Sequence, residues 1–433
     1  MELWEVTLDG TTVTVLSGQD GAMTRQVRAF RNRLRALWEV DRLCAEREDA
    51  GFTLVRRDDE RAPLVRSDFE AALRAEPDGE DNYLVHADWL QSQGDPSGQL
   101  IAVQHALMNT PPGSEQHRRL EREEAALLFE HRRHLWGALG DRVIDPHMQL
   151  YATELFAPDW HLGFLRSVEF QLLDIDLPSG VDGPMLARTL FDLHIAKLLR
   201  GVSVRPLGSR EWPGLEALPG LIAELAPPTL RWLRFGQPDS WHQIRILRIG
   251  ETLPALKSLS LCARELLLPP ALPASATTTI EDLTLASYRV RDDLLAPLAR
   301  ATWPALHTLT IRIHRVTAQA TTFHYEAGHL APLLSGEHAP CLRSLTLQCT
   351  RDTDELCRLL ASSRLADTLE YLDISFGALS SVGVDLLARR PFSRLRELVA
   401  IENPIALADA RRLVHAAPIV KVHPLREEWD QDG

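Results

Sequence analysis

Leu256-Lys257-Ser258-Leu259-Ser260-Leu261 and, 24 residues on, Ile280-Glu281-Asp282-Leu283-Thr284-Leu285 share one figure. A large apolar residue is followed by two positions, a second apolar residue, one position and a third. The figure recurs at Leu165-Val168-Phe170, Leu199-Val202-Val204, Leu230-Leu233-Phe235, Leu306-Leu309-Ile311, Leu342-Leu345-Leu347, Leu369-Leu372-Ile374 and Leu395-Leu398-Ala400. The nine first positions are 34, 31, 26, 24, 26, 36, 27 and 26 residues apart. Alternating apolar residues over so short a run read as a strand, and one such unit cannot bury its apolar edge alone. Units of this length therefore stack, each on its neighbours, into a solenoid. Leu294-Leu295-Ala296-Pro297-Leu298-Ala299 and Val384-Asp385-Leu386-Leu387-Ala388 between the strands suit return helices, so the class is α/β.

The spacing resembles that of leucine-rich repeats, and the resemblance covers residues 161–425. It departs from the family at the Asn ladder, where only Asn403, before Pro404, fills the position. Residues between the apolar triplet point outward by two-residue alternation. Small hydroxyls dominate the middle of this expected concave face, as at Ser258, Ser260, Thr308, Thr310, Ser344 and Thr346. Arg205, Trp232, Arg234, Arg312, Tyr371 and Asp373 interrupt them. Trp, Tyr and Arg are enriched at binding hot spots, so these six are the candidate protein-binding residues. The competing reading is that Ser and Thr simply suit a solvated strand. At roughly 4.8 Å between strands, nine strands give a sheet about 40 Å along its arc, enough for a protein segment or a helix. The longest step holds an insert, 314–325, whose tip Phe323-His324-Tyr325 is a candidate loop contact.

Two further modules precede the repeats. Leu3-Trp4-Glu5-Val6-Thr7-Leu8 alternates, Asp9-Gly10 reads as a hairpin turn, and Thr11 to Leu16 alternates again. A third strand from Arg25 and a helix over Leu34 to Leu43 complete a small α+β domain over 1–57. This stretch resembles a WGR domain. The family's Trp-Gly-Arg closes the second strand, where this chain has Ser17-Gly18-Gln19. Some nuclear enzymes contact DNA through this domain, which implies a nucleic-acid reading for Arg25, Arg28, Arg31, Arg33 and Arg35. The acids Glu39, Asp41, Glu46, Glu48 and Asp49 follow closely and nearly cancel that charge.

A polar linker, Arg56 to Arg61, leads to a helical bundle over 63–160. Ser67 with Glu70 has capping-box spacing, and the first helix ends at Glu76-Pro77-Asp78-Gly79. A second helix carries Tyr83, Leu84, Ala87 and Leu90, and a third carries Leu100, Ile101 and Val103. A long fourth is expected from Ser114 to about Leu139. Leu84-Val85-His86-Ala87-Asp88-Trp89-Leu90 and Gly94-Asp95-Pro96-Ser97-Gly98-Gln99-Leu100-Ile101 resemble a bacterial repeat-companion domain. That family occurs ahead of leucine-rich repeats in myxobacteria and planctomycetes, and it implies architecture, not an activity.

The formal charge of −13 over 433 residues disfavours a whole-molecule nucleic-acid binder, since such binding rests mainly on phosphate neutralisation. Basic residues are almost all Arg, Lys occurring only at Lys197, Lys257 and Lys421. The opening residues hold no apolar run, no stretch approaches a membrane span, and the five cysteines form no CxxC pair. Buried, reduced thiols and a cytoplasmic location are the expectation. No Walker loop, GxGxxG, GxSxG or HExxH occurs, and His131 with His134 read as a polar helix face. His86 is expected to be hydrogen-bonded structurally. Taken together these features describe a non-catalytic adaptor without cofactor or metal, whose partner is another protein, ending in an acidic tail over 426–433. The alternative is a nucleic-acid-associated regulator working through the Arg-rich segment.

Overall fold

A computed structural model describes residues 2–9, 12–19, 22–30, 33–52, 64–140, 156–172, 183–206, 215–236, 243–245, 253–267, 272, 277–289, 292–313, 325–389 and 392–422. The linker over 56–61, Arg31, Phe323, His324 and the acidic tail over 426–433 lie outside the described residues. Two compact units divide the chain: residues 1–166 with 192–198, and residues 167–191 with 199–433.

In the first unit, β1 (Glu2–Asp9), β2 (Thr12–Gln19) and β3 (Ala22–Ala29) form an antiparallel sheet in the order β1-β2-β3. Alternation puts Val13 and Val15 on the inner face, where they meet Ala36 of helix α1 (Arg33–Asp49). Trp4, Val6, Leu8, Phe30, Val40 and Leu43 close this small core.

Four longer helices follow: α2 (Ser67–Ala75), α3 (Glu80–Ser92), α4 (Pro96–Met108) and α5 (Glu115–Glu130). Leu73, Tyr83, Ala87, Leu90 and Ile101 bury their apolar faces against Leu162, Phe164 and Leu198. Two expectations from sequence fail here. Ser67 does not cap α2: Arg66 stands at that N-cap and offers no side-chain cap bond. The fourth helix is not continuous to Leu139. It stops at Glu130, His131 leaves helical geometry, and α6 (Arg132–Trp136) starts anew. The restart turns the segment inward, so that Arg132, His134, Leu135 and Trp136 are buried. His134 is therefore not on a polar outer face.

The second unit is built on a long parallel sheet. After β4 (Phe156–His161), its strands are β5 (Phe164–Leu172), β6 (Gly201–Pro206), β7 (Trp232–Phe235), β9 (Ser258–Leu267), β10 (Asp282–Arg289), β11 (Thr308–Ile313), β12 (Ser344–Leu347), β13 (Tyr371–Asp373), β14 (Glu397–Ala400) and β15 (Ile419–Val422). Each pairs with the next in parallel. A short β8 (Gln243–Arg245) lies beside the far end of β9. All nine apolar triplets coincide with strands of this sheet. Their leucines are fully buried, as at Leu199, Leu233, Leu261, Leu309, Leu345, Leu372 and Leu398.

Return helices include α7 (Gly183–Asp192), α8 (Leu218–Leu225), α9 (Asp292–Arg300), α10 (Ala331–Leu334), α11 (Thr353–Ala361), α12 (Ser381–Arg389) and α13 (Leu407–Leu413). Strand, turn and helix on one side of a parallel ladder make this an α/β architecture consistent with a leucine-rich-repeat-like solenoid. Among the described residues, no helix is long and apolar enough to cross a membrane. Four cysteines are buried as expected, but Cys341 is exposed.

Candidate functional site on the parallel sheet

Strand register turns the sequence alternation into rows. Ser167, Gly201, Trp232, Ser258, Asp282, Thr308, Ser344, Tyr371, Glu397 and Ile419 stand side by side in one row. Glu169, Ser203, Arg234, Ser260, Thr284, Thr310, Thr346, Asp373, Val399 and Lys421 form the next. The apolar residues between them point to the other side, which is why the sheet has one polar face.

Trp232 is placed by what its neighbour lacks. A Cβ added to Gly201 would lie 1.9 Å from Cε2 of the Trp232 indole and 2.4 Å from Nε1. The ring therefore rests directly on the Gly201 backbone, half-buried, with its remaining surface on the polar face. Two residues on, the Arg234 guanidinium carbon lies 5.5 Å from the ring centroid, a cation–π distance. Arg205, one strand away, reaches Glu169 at 3.2 Å. Both members of that pair keep solvent contact, so it orients Arg205 more than it stabilises the fold. Three of the six candidates thus gather on β6 and β7 as an aromatic plate among exposed cations.

The other candidates behave differently. Arg312 is exposed at the end of β11 and Tyr371 is half-buried on β13. Burial, with the charges of Asp373 and Glu397, raises the Tyr371 phenol pKa, against Arg312 and Lys421. Asp373 is not displayed: it is only 4% exposed. Its carboxylate accepts the Gln348 amide at 2.8 Å and the Ser375 N–H at 2.9 Å, a structural role. Thr310, Thr346 and Val399 in its row are buried as well. The open part of the polar face lies instead over β6 to β10, where Ser260 and Thr284 keep solvent contact.

Tyr325 is no loop tip. It is 1% exposed and bridges to Thr350, which places its side chain in the core. Of the Arg-rich segment, Arg25 and Arg28 are exposed on β3. Arg28 pairs with Glu39, a carboxylate held also by Arg42 at 2.8 and 2.9 Å. The Arg42 hydrogen bond leads the causes that keep Glu39 below its usual pKa, burial opposing and the Arg28 charge adding. Arg33 and Arg35 fall at the start of α1.

Sequence reasoning missed a buried polar cluster in the helical bundle. His86 is 1% exposed, with neither ring nitrogen hydrogen-bonded among the described residues, contrary to expectation. Phe69, Trp89 and Phe164 surround it at ring distances of 5.3, 5.9 and 6.2 Å. Burial first, then the charge of His194, pushes its pKa down to about 4, while Asp95, Glu70 and Asp68 pull the other way. His194 contacts Glu70 at 3.3 Å. Because the folded pKa lies below the unfolded value of about 6.5, this group leaves stability intact above that value. It removes stability as pH falls from there towards the folded value. His86→Leu is expected to lift the acid-limb stability by about 2 kcal/mol by about pH 5 and to change little near neutrality. Chemical denaturation at several pH values checks this, and a parallel loss with falling pH in both proteins would refute it.

Ser97, His134 and Asp95 do not form a nucleophilic triad. Both partners approach the same His134 nitrogen, Nε2, Asp95 at 3.0 Å and Ser97 Oγ at 3.3 Å. A triad needs the carboxylate on the opposite nitrogen from the nucleophile. Among the described residues no group of three or more His, Cys, Asp or Glu is placed to hold a metal ion.

No protein-family model matches this chain, and no curated protein matches it. Among solved structures it is similar to a protein from Bacteroides fragilis at 14% identity and a TM-score of 0.45, over 98% of this chain and 92% of that one. It is also similar to an internalin from Listeria monocytogenes at 14% identity and a TM-score of 0.28, over 56% of this chain and 84% of that one.

Proposed function

We propose that the protein is a non-catalytic adaptor that holds a protein partner on the polar face of its parallel sheet. One observation carries the reading: a Trp232 indole seated on a glycine and flanked by Arg234, on the open face of a rigid repeat ladder. A large side chain already fixed in its contact pose loses little entropy on binding, which suits it to be an anchor. The leucine-rich-repeat resemblance of residues 161–425 fits this role. The WGR-like and repeat-companion-like modules over 1–57 and 63–160 then serve as accessory parts of the same cytoplasmic scaffold, which needs no cofactor.

Affinity capture from native lysate tests the reading, at low and high salt, with and without nuclease. The expected result is a discrete protein that survives both treatments. Trp232→Ala with Arg234→Ala then weakens its binding at least about tenfold, the equivalent of 1.4 kcal/mol. Arg25→Glu leaves that binding unchanged. Recovery of nucleic acid alone, lost in high salt or with Arg25→Glu, would transfer the function to the N-terminal module.

A further inference from the structure

We infer that the segment held at the β6–β9 part of this face is acidic, an assignment that rests on the adaptor reading above. Strands β6, β7 and β9 are immediate neighbours in the sheet. Arg205 on β6, Arg234 on β7, and Arg231 and Lys257 immediately before β7 and β9 are all exposed. Strands β6 and β7 contain no carboxylate, and β9 carries one, Glu265, towards its far end. This is a concentration of positive charge in a chain whose formal net charge is −13.

Two of the four cations have protein partners. Arg205 is held by Glu169 on β5, and Lys257 by Glu281 at 2.6 Å. Arg231 and Arg234 make no ion pair with a carboxylate among the described residues, and they stand on either side of Trp232 in sequence. The charge left over is small and local. Three strands at about 4.8 Å span only about 10 Å, the length of three or four extended residues. Such a patch matches two or three carboxylates flanking one apolar or aromatic side chain that meets the indole. Duplex or single-stranded nucleic acid would present a longer run of phosphates than this, and the acidic remainder of the protein would repel it. An acidic linear protein segment with a central hydrophobic residue is therefore the ligand class.

Selection of a displayed library of random linear peptides on the full-length protein tests this. Binders are then measured against wild type, Arg231→Glu with Arg234→Glu, and Trp232→Ala. Thermal melts of each variant show whether the fold is intact before its affinities are compared. The expected binders are rich in Asp and Glu around an aromatic or aliphatic residue. They lose at least about tenfold in affinity in both variants, and their neutral Asn/Gln analogues bind no better than the charge-reversed protein. Binders that need Trp232 but carry no acidic residues would overturn the charge assignment and leave the docking face standing. Binders indifferent to Trp232 and to both arginines would overturn the assignment together with the adaptor reading. A single-stranded DNA probe that binds wild type and is lost with Arg231→Glu and Arg234→Glu would give the patch to nucleic acid and overturn the assignment.

Discussion

Asn403→Ala is expected to lower stability by about 3 kcal/mol, with the loss concentrated in the last repeats. The Asn403 side chain is 2% exposed. Its Nδ2 donates to the Ile374 carbonyl at 3.0 Å, and its Oδ1 accepts the Leu379 N–H at 3.1 Å. Both belong to the preceding repeat, so one amide sews two units together. Truncation leaves a buried donor and a buried acceptor without partners, each costing about 1–3 kcal/mol. Gly377 shows how tightly the site is built: a Cβ there would lie 3.1 Å from Asn403 Oδ1 and 2.3 Å from Thr353 Oγ1. Denaturant unfolding reads the total loss, and amide exchange at Leu379 reads its location. A change below about 0.5 kcal/mol with normal exchange at Leu379 would show that the stitch contributes nothing.

Asp95→Ala should cost the helical bundle about 4 kcal/mol, the range for removing one member of a buried ionic network. Asp95 caps α4 through the Ser97 N–H at 2.9 Å, accepts the Leu64 N–H at 3.1 Å and meets His134 at 3.0 Å. Three segments distant in sequence therefore converge on one carboxylate. Burial alone would raise its pKa, but the hydrogen bonds from His134, Leu64 and Ser97 outweigh burial and hold it well below the ordinary range. Its contribution is complete above the unfolded value of about 3.9 and is lost as pH falls through the depressed folded value. The His86 penalty sets in earlier, as pH falls from about 6.5 towards the folded value near 4. The two windows are separable. His86→Leu flattens the upper one, and Asp95→Asn lowers stability at neutral pH and flattens the lower one. Unfolding curves for Asp95→Asn that keep the wild-type acid slope would contradict the assignment of that window to Asp95.

The parallel sheet was legible in the sequence because its strands answer to a local rule. Leu256, Leu259 and Leu261 must be buried together whatever surrounds them, and the same spacing marked every strand from β5 to β14 except β8. The features that were not legible depend on neighbours many residues away. Asp373 reads as outward by alternation, yet the amide of Gln348, 25 residues earlier, folds over it. Tyr325 reads as a loop residue, yet it pairs with Thr350 across the repeat. His134 follows a charged helix, and only the break at His131 turns it towards Asp95. In the candidate site, Arg205, Trp232 and Arg234 could each be named from their strand positions. That Gly201 seats the indole could not, because it requires the register of β6 against β7.

Photo-crosslinking from defined positions tests the central claim most directly, that a partner is held on the polar face of the sheet. A photoreactive amino acid is introduced at Ser258 or Ser344 on that face, and at Arg358 or Val382 on the exposed surface of α11 and α12. Each protein is irradiated in native lysate. The account predicts one shared protein adduct from Ser258, weaker or absent from Ser344, absent from Arg358 and Val382, and lost when Trp232→Ala is added. Adducts that form from Arg358 or Val382 and persist with Trp232→Ala would place the partner on the helices and contradict it.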